Sequence, residues 1–95
     1  MGALKQGVVI HVVTKNRYFA EKFMCDNFNE PNKILKSRDE FIYLYENGDE
    51  VRWLYPRESN RGYKCNILYY DNTVDAELLC NVFRPSVLSV ETYLG

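Results

Sequence analysis

The sequence predicts a small α/β sandwich formed by one domain, residues 1–95, with a mixed, partly parallel sheet, a β-hairpin and two or three helices. The first supporting observation is a β-branched apolar run, Val8–Val13, which suits a strand buried on both faces of a sheet. The second is helical spacing of apolar residues between Tyr18 and Phe28. The third is the segment 40–55, where two aromatic-rich runs flank an Asn-Gly pair and predict a hairpin.

Length and charge limit the classes of function. A chain of 95 residues, 46% of them hydrophobic, is long enough for one modest core. A net charge of −1 argues against a protein that coats nucleic acid, because such binding needs many Lys and Arg side chains to neutralise phosphates. The short, mixed apolar run before Thr14 is too brief for a secretion signal or a membrane span. The sequence therefore predicts a cytoplasmic protein without membrane contact.

Cysteine and histidine usage predicts neither a metal site nor a cofactor. The three cysteines, Cys25, Cys65 and Cys80, are far apart and form no C-x-x-C pair, and His11 is the only histidine. We expect buried, free thiols that behave as small apolar side chains. His11 interrupts an apolar strand, and we expect a satisfied core histidine in preference to a catalytic base.

The first half of the chain predicts a strand, a helix and the hairpin. Asn16 is the predicted N-cap of the helix, and Glu30-Pro31 is expected to close it. Asn47-Gly48 accepts positive φ at both positions and predicts a type I′ turn. Aromatic residues alternate along both arms of the hairpin, so one face is expected to be aromatic and to pack on the core. The alternating positions are Phe41, Tyr43, Tyr45, Val51, Trp53 and Tyr55.

The second half predicts a loop over 56–62, a strand over Lys64–Tyr70 and a short helix over Val74–Phe83 that ends before Pro85. The last segment, Val87–Leu94, has interrupted alternation and fits a strand or a helix.

The strand before Asp71 is the strongest chemical signal. Its end, Ile67–Tyr70, is expected to lie parallel to the first strand, and many nucleotide-hydrolysing α/β folds place a Mg²⁺-holding acid at such a carboxyl edge. Asp71, Asn72 and Asp75 are therefore candidates for a nucleotide or metal site. The alternative, which we favour, is structural: Asp71, Asn72 or Thr73 caps the following helix, and the charges of Asp75 and Glu77 stabilise its first turn. The phosphate-binding string G-x-x-x-x-G-K-[ST] does not occur in the sequence.

Two further groups are candidate contact residues. Arg57, Arg61 and Lys64 form a basic loop that fits phosphate or nucleic-acid contact, or an ordinary solvated loop. Tyrosine and tryptophan are enriched at protein interfaces, so the aromatic residues of the hairpin and loop are candidates for binding a partner or a second protomer. The alternative is core packing with a few surface tyrosines. The candidates are Tyr43, Tyr45, Trp53, Tyr55 and Tyr63.

A resemblance extends over residues 7–85. V-V-T-K-N-R is followed by F-I-Y-L-Y-E-N-G-D-E-V-R-W and then by R-G-Y-K-C-N-I-L-Y-Y-D-N. In order and spacing, these segments resemble the middle of the ATPase domain of phage large terminases and related helicase-like P-loop proteins. That family has F-x-N-G-S-x-I, then R-G-x-x-x-D, then a strand ending in Asp-Glu. The resemblance implies a fold like that of P-loop NTPases, but without the P-loop.

The departures from that family bear on activity. The pair that corresponds to Asp-Glu is Asp71-Asn72, and an amide does not act as a general base at neutral pH. The phosphate loop would precede Gly7, or would be reduced to residues 14–16, which contain no glycine. The resemblance therefore implies a truncated, catalytically silent phage- or mobile-element-type protein.

The predicted function is accordingly non-enzymatic binding of a protein partner, without a cofactor. The alternative is a nucleotide- or nucleic-acid-binding module that uses the 57–64 loop and Asp71. Homo-oligomerisation is a further alternative.

Overall fold

The structure, a computed structural model, describes residues 7–95 and contains a six-stranded mixed sheet with helical segments on both faces. The sheet order is β2-β3-β4-β1-β5-β6. The strands are β1 (Val9–Val13), β2 (Lys33–Lys36), β3 (Phe41–Leu44), β4 (Glu50–Leu54), β5 (Cys65–Tyr70) and β6 (Val87–Tyr93). The helices are α1 (Arg17–Asn27) and the short α2 (Ala76–Leu78). The predicted α/β class and mixed sheet are confirmed.

β1 is the central strand, as its composition predicts. It pairs in parallel with β4 on one side and with β5 on the other, and β5 pairs in parallel with β6. β3 is antiparallel to both β2 and β4. Val12 and Val13 point to opposite faces and are both fully buried, which is why this strand tolerates almost no polar residue.

Each face of the sheet carries its own core. On one face, α1 packs Ala20 and Met24 against Val12 and the aromatic side of the hairpin. On the other face, Val13 and Leu68 lie beneath side chains that follow α2. These side chains are Leu79, Val82 and Phe83.

The hairpin is confirmed, but its turn differs from the prediction. Phe41 lies opposite Trp53 in the β3–β4 register. The turn is not type I′, because Gly48 has a φ of +95° whereas no non-glycine residue among 7–95 has positive φ. Gly48 donates its N–H to the carbonyl of Tyr45 at 3.0 Å, and the N–H of Tyr45 donates to the carbonyl of Asp49 at 3.0 Å. The loop is therefore one residue longer, so that only the glycine takes the left-handed conformation.

The boundaries of α1 follow local chemistry. The predicted N-cap is confirmed, since Asn16 Oδ1 accepts the N–H of Phe19 at 3.1 Å. The helix ends at Asn27, before the predicted Glu30-Pro31, because Phe28 turns into extended backbone. Its ring lies 6.2 Å from that of Tyr69, at the edge of the α1 core.

The second predicted helix is only partly α-helical. The chain forms an α-turn over Ala76–Leu78, a π-helical turn over Leu79–Phe83 and a 3₁₀ turn over Arg84–Ser86. Cys80, predicted on the buried side, is exposed, and Val82 takes its place in the core. The wider turn brings three apolar side chains onto one face of the sheet. No helix within residues 7–95 has the length and apolar character needed to span a membrane.

Both edge strands were harder to predict. Val87–Leu94, which fits a strand or a helix by sequence, forms β6 over Val87–Tyr93. β2 was not predicted, because it has only four residues, begins and ends with lysine and is exposed throughout.

Candidate functional site

The connections after β1 and β5 leave the sheet in opposite directions. The chain after β1 passes through α1 to β2, on the β4 side of β1, whereas the chain after β5 passes through α2 to β6 on the other side. α/β proteins bind ligands in the crevice at the carboxyl ends of strands where such a reversal occurs. Thr14 directly follows β1 and Asp71 directly follows β5, so both lie at this point.

Thr14, Asp71 and Thr73 form a hydrogen-bonded group, here called the Thr14–Asp71 cluster. The hydroxyl of Thr14 donates to Asp71 Oδ2 at 2.7 Å. Thr73 donates its backbone N–H to Asp71 Oδ1 at 3.0 Å and its hydroxyl to the same oxygen at 2.5 Å. Thr14 and Asp71 are both buried. Both carboxylate oxygens are thus engaged by the chain itself.

The backbone amides beside this cluster are also engaged. The N–H of Lys15 donates to Thr73 Oγ1 at 2.9 Å, and the N–H of Asn16 donates to Thr14 Oγ1 at 3.0 Å. Phe19 donates its N–H to the side chain of Asn16. Amides at the start of a helix are the groups that bind phosphate in α/β proteins. In this turn, three of them are occupied by threonine and asparagine oxygens.

The cluster is continuous with the core through Thr14. Its N–H donates to the carbonyl of Leu54 at 3.3 Å, and its carbonyl accepts the indole N–H of Trp53 at 2.9 Å. The Arg17 guanidinium lies 5.1 Å from the ring centre of Trp53, which extends the contact to α1. These bonds join the ends of β1, β4 and β5, so the arrangement fixes how the three strands end.

The other acidic candidates do not converge on Asp71. Asn72 and Asp75 are exposed, and Asp75 is the N-cap of α2, accepting the N–H of Glu77 at 3.3 Å. The predicted cap was therefore wrong: Asp75, predicted in the first turn, caps α2, and Asp71, Asn72 and Thr73 do not. Within residues 7–95, no three His, Cys, Asp or Glu side chains are grouped so as to hold a metal ion.

The basic candidates line three separate clefts. Arg57 lies 4.8 Å above the ring centre of Tyr55, whereas Arg61 pairs with Glu58 and donates to the carbonyl of Asn81. Lys64 lines a different pocket, on the sheet face beside His11. The three cations therefore do not share one surface for a phosphate chain.

The aromatic candidates divide into buried and exposed residues. Tyr43 and Trp53 belong to the core beneath α1, which removes them from any contact surface. Tyr45 packs against that core and donates its hydroxyl to the carbonyl of Asn29. Tyr55 and Tyr63 are exposed. The predicted aromatic face of the hairpin is thus the face covered by the helix, and among these five candidates Tyr55 and Tyr63 are the exposed ones.

The cysteines differ from the expectation in two of three cases. All are free, but Cys25 and Cys80 are exposed and only Cys65 is buried. Burial raises the pKa of the Cys65 thiol to about 11, so this thiol stays protonated and unreactive at neutral pH.

His11 is buried on the sheet face opposite α1, with 4% of its surface exposed. Its ring borders a pocket on this face, and no fully buried side-chain nitrogen or oxygen among residues 7–95 is left without a hydrogen bond, which agrees with the expected core histidine. Burial, with a smaller contribution from the positive charge of Arg52, lowers the pKa of His11 from 6.5 to about 4. The imidazole is neutral at pH 7.

This depressed pKa predicts a pH-dependent stability. Between pH 6.5 and 4 the unfolded chain binds the His11 proton more readily than the folded chain, so stability is lost as the pH falls. We expect a loss of about 1.5 kcal/mol between pH 6.5 and 5. Urea denaturation at both pH values measures it, with His11→Asn as the control that retains every carboxylate. Equal losses of stability in the unmodified chain and in His11→Asn would contradict the low pKa assigned to His11.

Comparison of the chain with protein-family models, curated proteins and solved structures found no match. The resemblance to terminase and helicase cores stays a prediction. The function is therefore inferred from this chain's own geometry.

Two kinds of candidate functional residue are not apparent from the sequence. The hydroxyls of Thr14 and Thr73 complete the cluster around Asp71, and the available signal was a threonine closing the first apolar strand and another two residues after the aspartate. The exposed apolar residues of β6 were also missed, because the secondary structure of that segment was undecided.

Proposed function

We propose that the protein is a non-enzymatic domain that binds a protein partner by accepting an extended strand of that partner at the edge of β6. The observation that carries this proposal is the exposure of apolar side chains along the strand. Leu88 is 65% exposed, Val90 48% and Tyr93 55%. Exposed apolar residues on an unpaired edge are a template for pairing with another chain.

The two edges of the described sheet contrast in how they are protected. β2 begins and ends with lysine, Lys33 and Lys36, and edge lysines discourage the approach of a foreign strand. β6 contains one charged residue, Glu91, and Arg84 pairs with it at 2.8 Å. The charge on β6 is therefore neutralised within the chain, and a neutral, apolar strand is the complementary partner.

The backbone of β6 also offers hydrogen-bonding groups. The N–H of Leu94 donates to the carbonyl of Tyr70 on β5 at 2.8 Å. Because successive residues of a strand direct their N–H and carbonyl groups to opposite sides, those of Glu91 and Tyr93 point away from β5. A partner strand gains main-chain hydrogen bonds there, and the exposed side chains of Val90 and Tyr93, which lie on opposite faces of the strand, favour apolar residues in the partner.

The carboxyl edge of the sheet supports a non-enzymatic role. Both oxygens of Asp71 are occupied by Thr14 and Thr73, and the adjoining amides bond to side chains of the same turn. At this edge, therefore, no free carboxylate of residues 7–95 lies beside free backbone amides that could bind a phosphate. The resemblance to a terminase or helicase core adds, by analogy, the expectation that the partner is part of a phage or mobile-element machine.

A selection from a random linear-peptide library tests the proposal. We expect enrichment of extended peptides rich in apolar residues, and at least about tenfold weaker binding of these peptides to Val90→Lys, because a lysine at the edge opposes strand addition. Ile34→Lys on β2 is the matched control, since Ile34 is 49% exposed and Val90 48%. Circular dichroism checks that both variants fold. Equal loss of peptide binding in both variants, or no loss in Val90→Lys, would contradict strand addition at β6.

The same variants show whether β6 binds a different protein or a second copy of this chain. Sedimentation equilibrium over a range of concentrations is expected to give the mass of one chain. A doubled mass that Val90→Lys abolishes would assign the edge to self-association and overturn the proposal of a different protein partner.

A further inference from the structure

A pocket of about 450 Å³ opens on the sheet face opposite α1, between β1, β4 and the loop before β5. His11 and Arg52 lie side by side in the β1–β4 register and form part of its wall. Tyr63 and Lys64 of the loop form the opposite side. The pocket is separate from the Thr14–Asp71 cluster and from β6, and the proposed function does not use it.

The position of His11 needs an explanation. The run Val8–Val13 is otherwise apolar, and the neighbouring positions on this face of the sheet provide core contacts. A polar ring in an apolar run costs free energy unless it reaches water or a hydrogen-bonding group. The His11 ring borders the pocket, so a molecule bound there is within reach of the imidazole.

The pocket has more hydrogen-bond donors than acceptors. Arg52 gives its Nε–H to Glu50 at 3.0 Å, and this pairing leaves the other guanidinium N–H groups available. Lys64 is exposed and forms no ion pair within residues 7–95. Glu50 is the acidic side chain of the pocket wall, and Arg52 already neutralises it. The hydrogen-bonding groups of the pocket wall that stay free are therefore positively charged donors.

We propose that this pocket binds the oxyanion group, a phosphate or a carboxylate, of a small ligand. Arg52 and Lys64 supply the positive charge, and the neutral imidazole of His11 supplies one N–H. The exposed ring of Tyr63 covers the remainder of the ligand. The volume lies in the range of small-molecule sites, and guanidinium and ammonium donors match oxyanion geometry.

Binding has a spectroscopic signature because His11 is the only histidine. Its imidazole protons give one set of NMR signals, free of overlap from other histidines. An anion beside the ring favours the imidazolium form, so a bound oxyanion raises the pKa of His11 from its low value. The charged and titratable groups around the ring are Arg52, Glu50, Lys64, Tyr63 and Cys65.

The test is an NMR titration of His11 at pH 6.5 with inorganic phosphate, acetate and phenyl phosphate, and with chloride as the control for ionic strength. We expect a saturable change of the His11 signals with at least one of the oxyanions, and an accompanying rise of its pKa. Comparison of phosphate with acetate assigns the anion class, and tighter binding of phenyl phosphate than of phosphate supports the contact with Tyr63.

Two variants locate the binding. Lys64→Ala is expected to weaken the affinity about tenfold, whereas Arg57→Ala, which removes a cation of the same loop from a different cleft, leaves it unchanged. Lys64 is exposed, so its replacement does not disturb the core. Changes that do not saturate, that equal those with chloride, or that are the same in the two variants would overturn the proposal.

Discussion

Trp53→Ala is expected to lower the free energy of unfolding by about 4 kcal/mol. Trp53 is buried at the centre of the core beneath α1, and its removal leaves a cavity bordered by side chains of the helix and hairpin. It also leaves the carbonyl of Thr14 without the indole N–H that it accepts at 2.9 Å. The Arg17 guanidinium loses the ring above which it lies. The loss therefore combines apolar burial, a buried hydrogen bond and a cation–π contact.

Urea denaturation measures this effect, with Tyr18→Ala as the control. Tyr18 is on the same helix-bearing side of the molecule but is 77% exposed, so its removal is expected to change stability by no more than about 0.5 kcal/mol. If Trp53→Ala lost as little stability as Tyr18→Ala, the indole would have to lie at the surface, where it could again be a partner contact.

Asp71→Ala is expected to cost about 3 kcal/mol, because the change leaves the buried hydroxyl of Thr14 and the N–H and hydroxyl of Thr73 without their acceptor. Asp75→Ala, which removes an exposed cap from a three-residue helix, is expected to cost about 1 kcal/mol or less. Urea denaturation of both variants gives the comparison.

The same pair of variants tests the alternative function. We expect Mg²⁺ with ATP or ADP, and short oligonucleotides, to leave the Tm of the unmodified chain unchanged. A ligand that binds only the folded state raises Tm by mass action. A rise in Tm that disappears in Asp71→Ala but persists in Asp75→Ala would make Asp71 a nucleotide-binding residue. It would contradict the purely structural role of Asp71 in the Thr14–Asp71 cluster.

The parts of the fold that were predictable are those in which a local pattern and burial agree. The apolar run of β1 and the alternation across β3 and β4 each report both backbone conformation and core contact, and the cap at Asn16 reports the start of α1 through a local hydrogen bond. The π-helical turn over Leu79–Phe83 was not predictable, because it is set by how three side chains reach the sheet. β2 was missed because, as an edge with exposed side chains, it has no burial pattern to detect.

The Thr14–Asp71 cluster was predictable in its place in the fold but not in its hydrogen bonding. The carboxylate at the end of β5 indicated the sheet edge correctly. Its role depends on Thr14, which is 57 positions away in the sequence, and only the parallel pairing of β1 with β5 brings the two together. In the same way, the alternation of Tyr43 and Trp53 predicted a shared face but not that α1 covers it. Whether a side chain is accessible depends on the tertiary structure, which the spacing of residues along one hairpin does not determine.

The central claim, strand addition at β6, is tested most directly by amide hydrogen exchange measured residue by residue, before and after addition of a library-selected peptide. In the free protein, the inward N–H groups of Thr92 and Leu94 are expected to exchange slowly and those of Glu91 and Tyr93 rapidly. Bound peptide is expected to slow exchange at Glu91 and Tyr93. Slowing confined to the 55–64 loop, with Glu91 and Tyr93 unchanged, would contradict the claim and place the partner on the loop tyrosines.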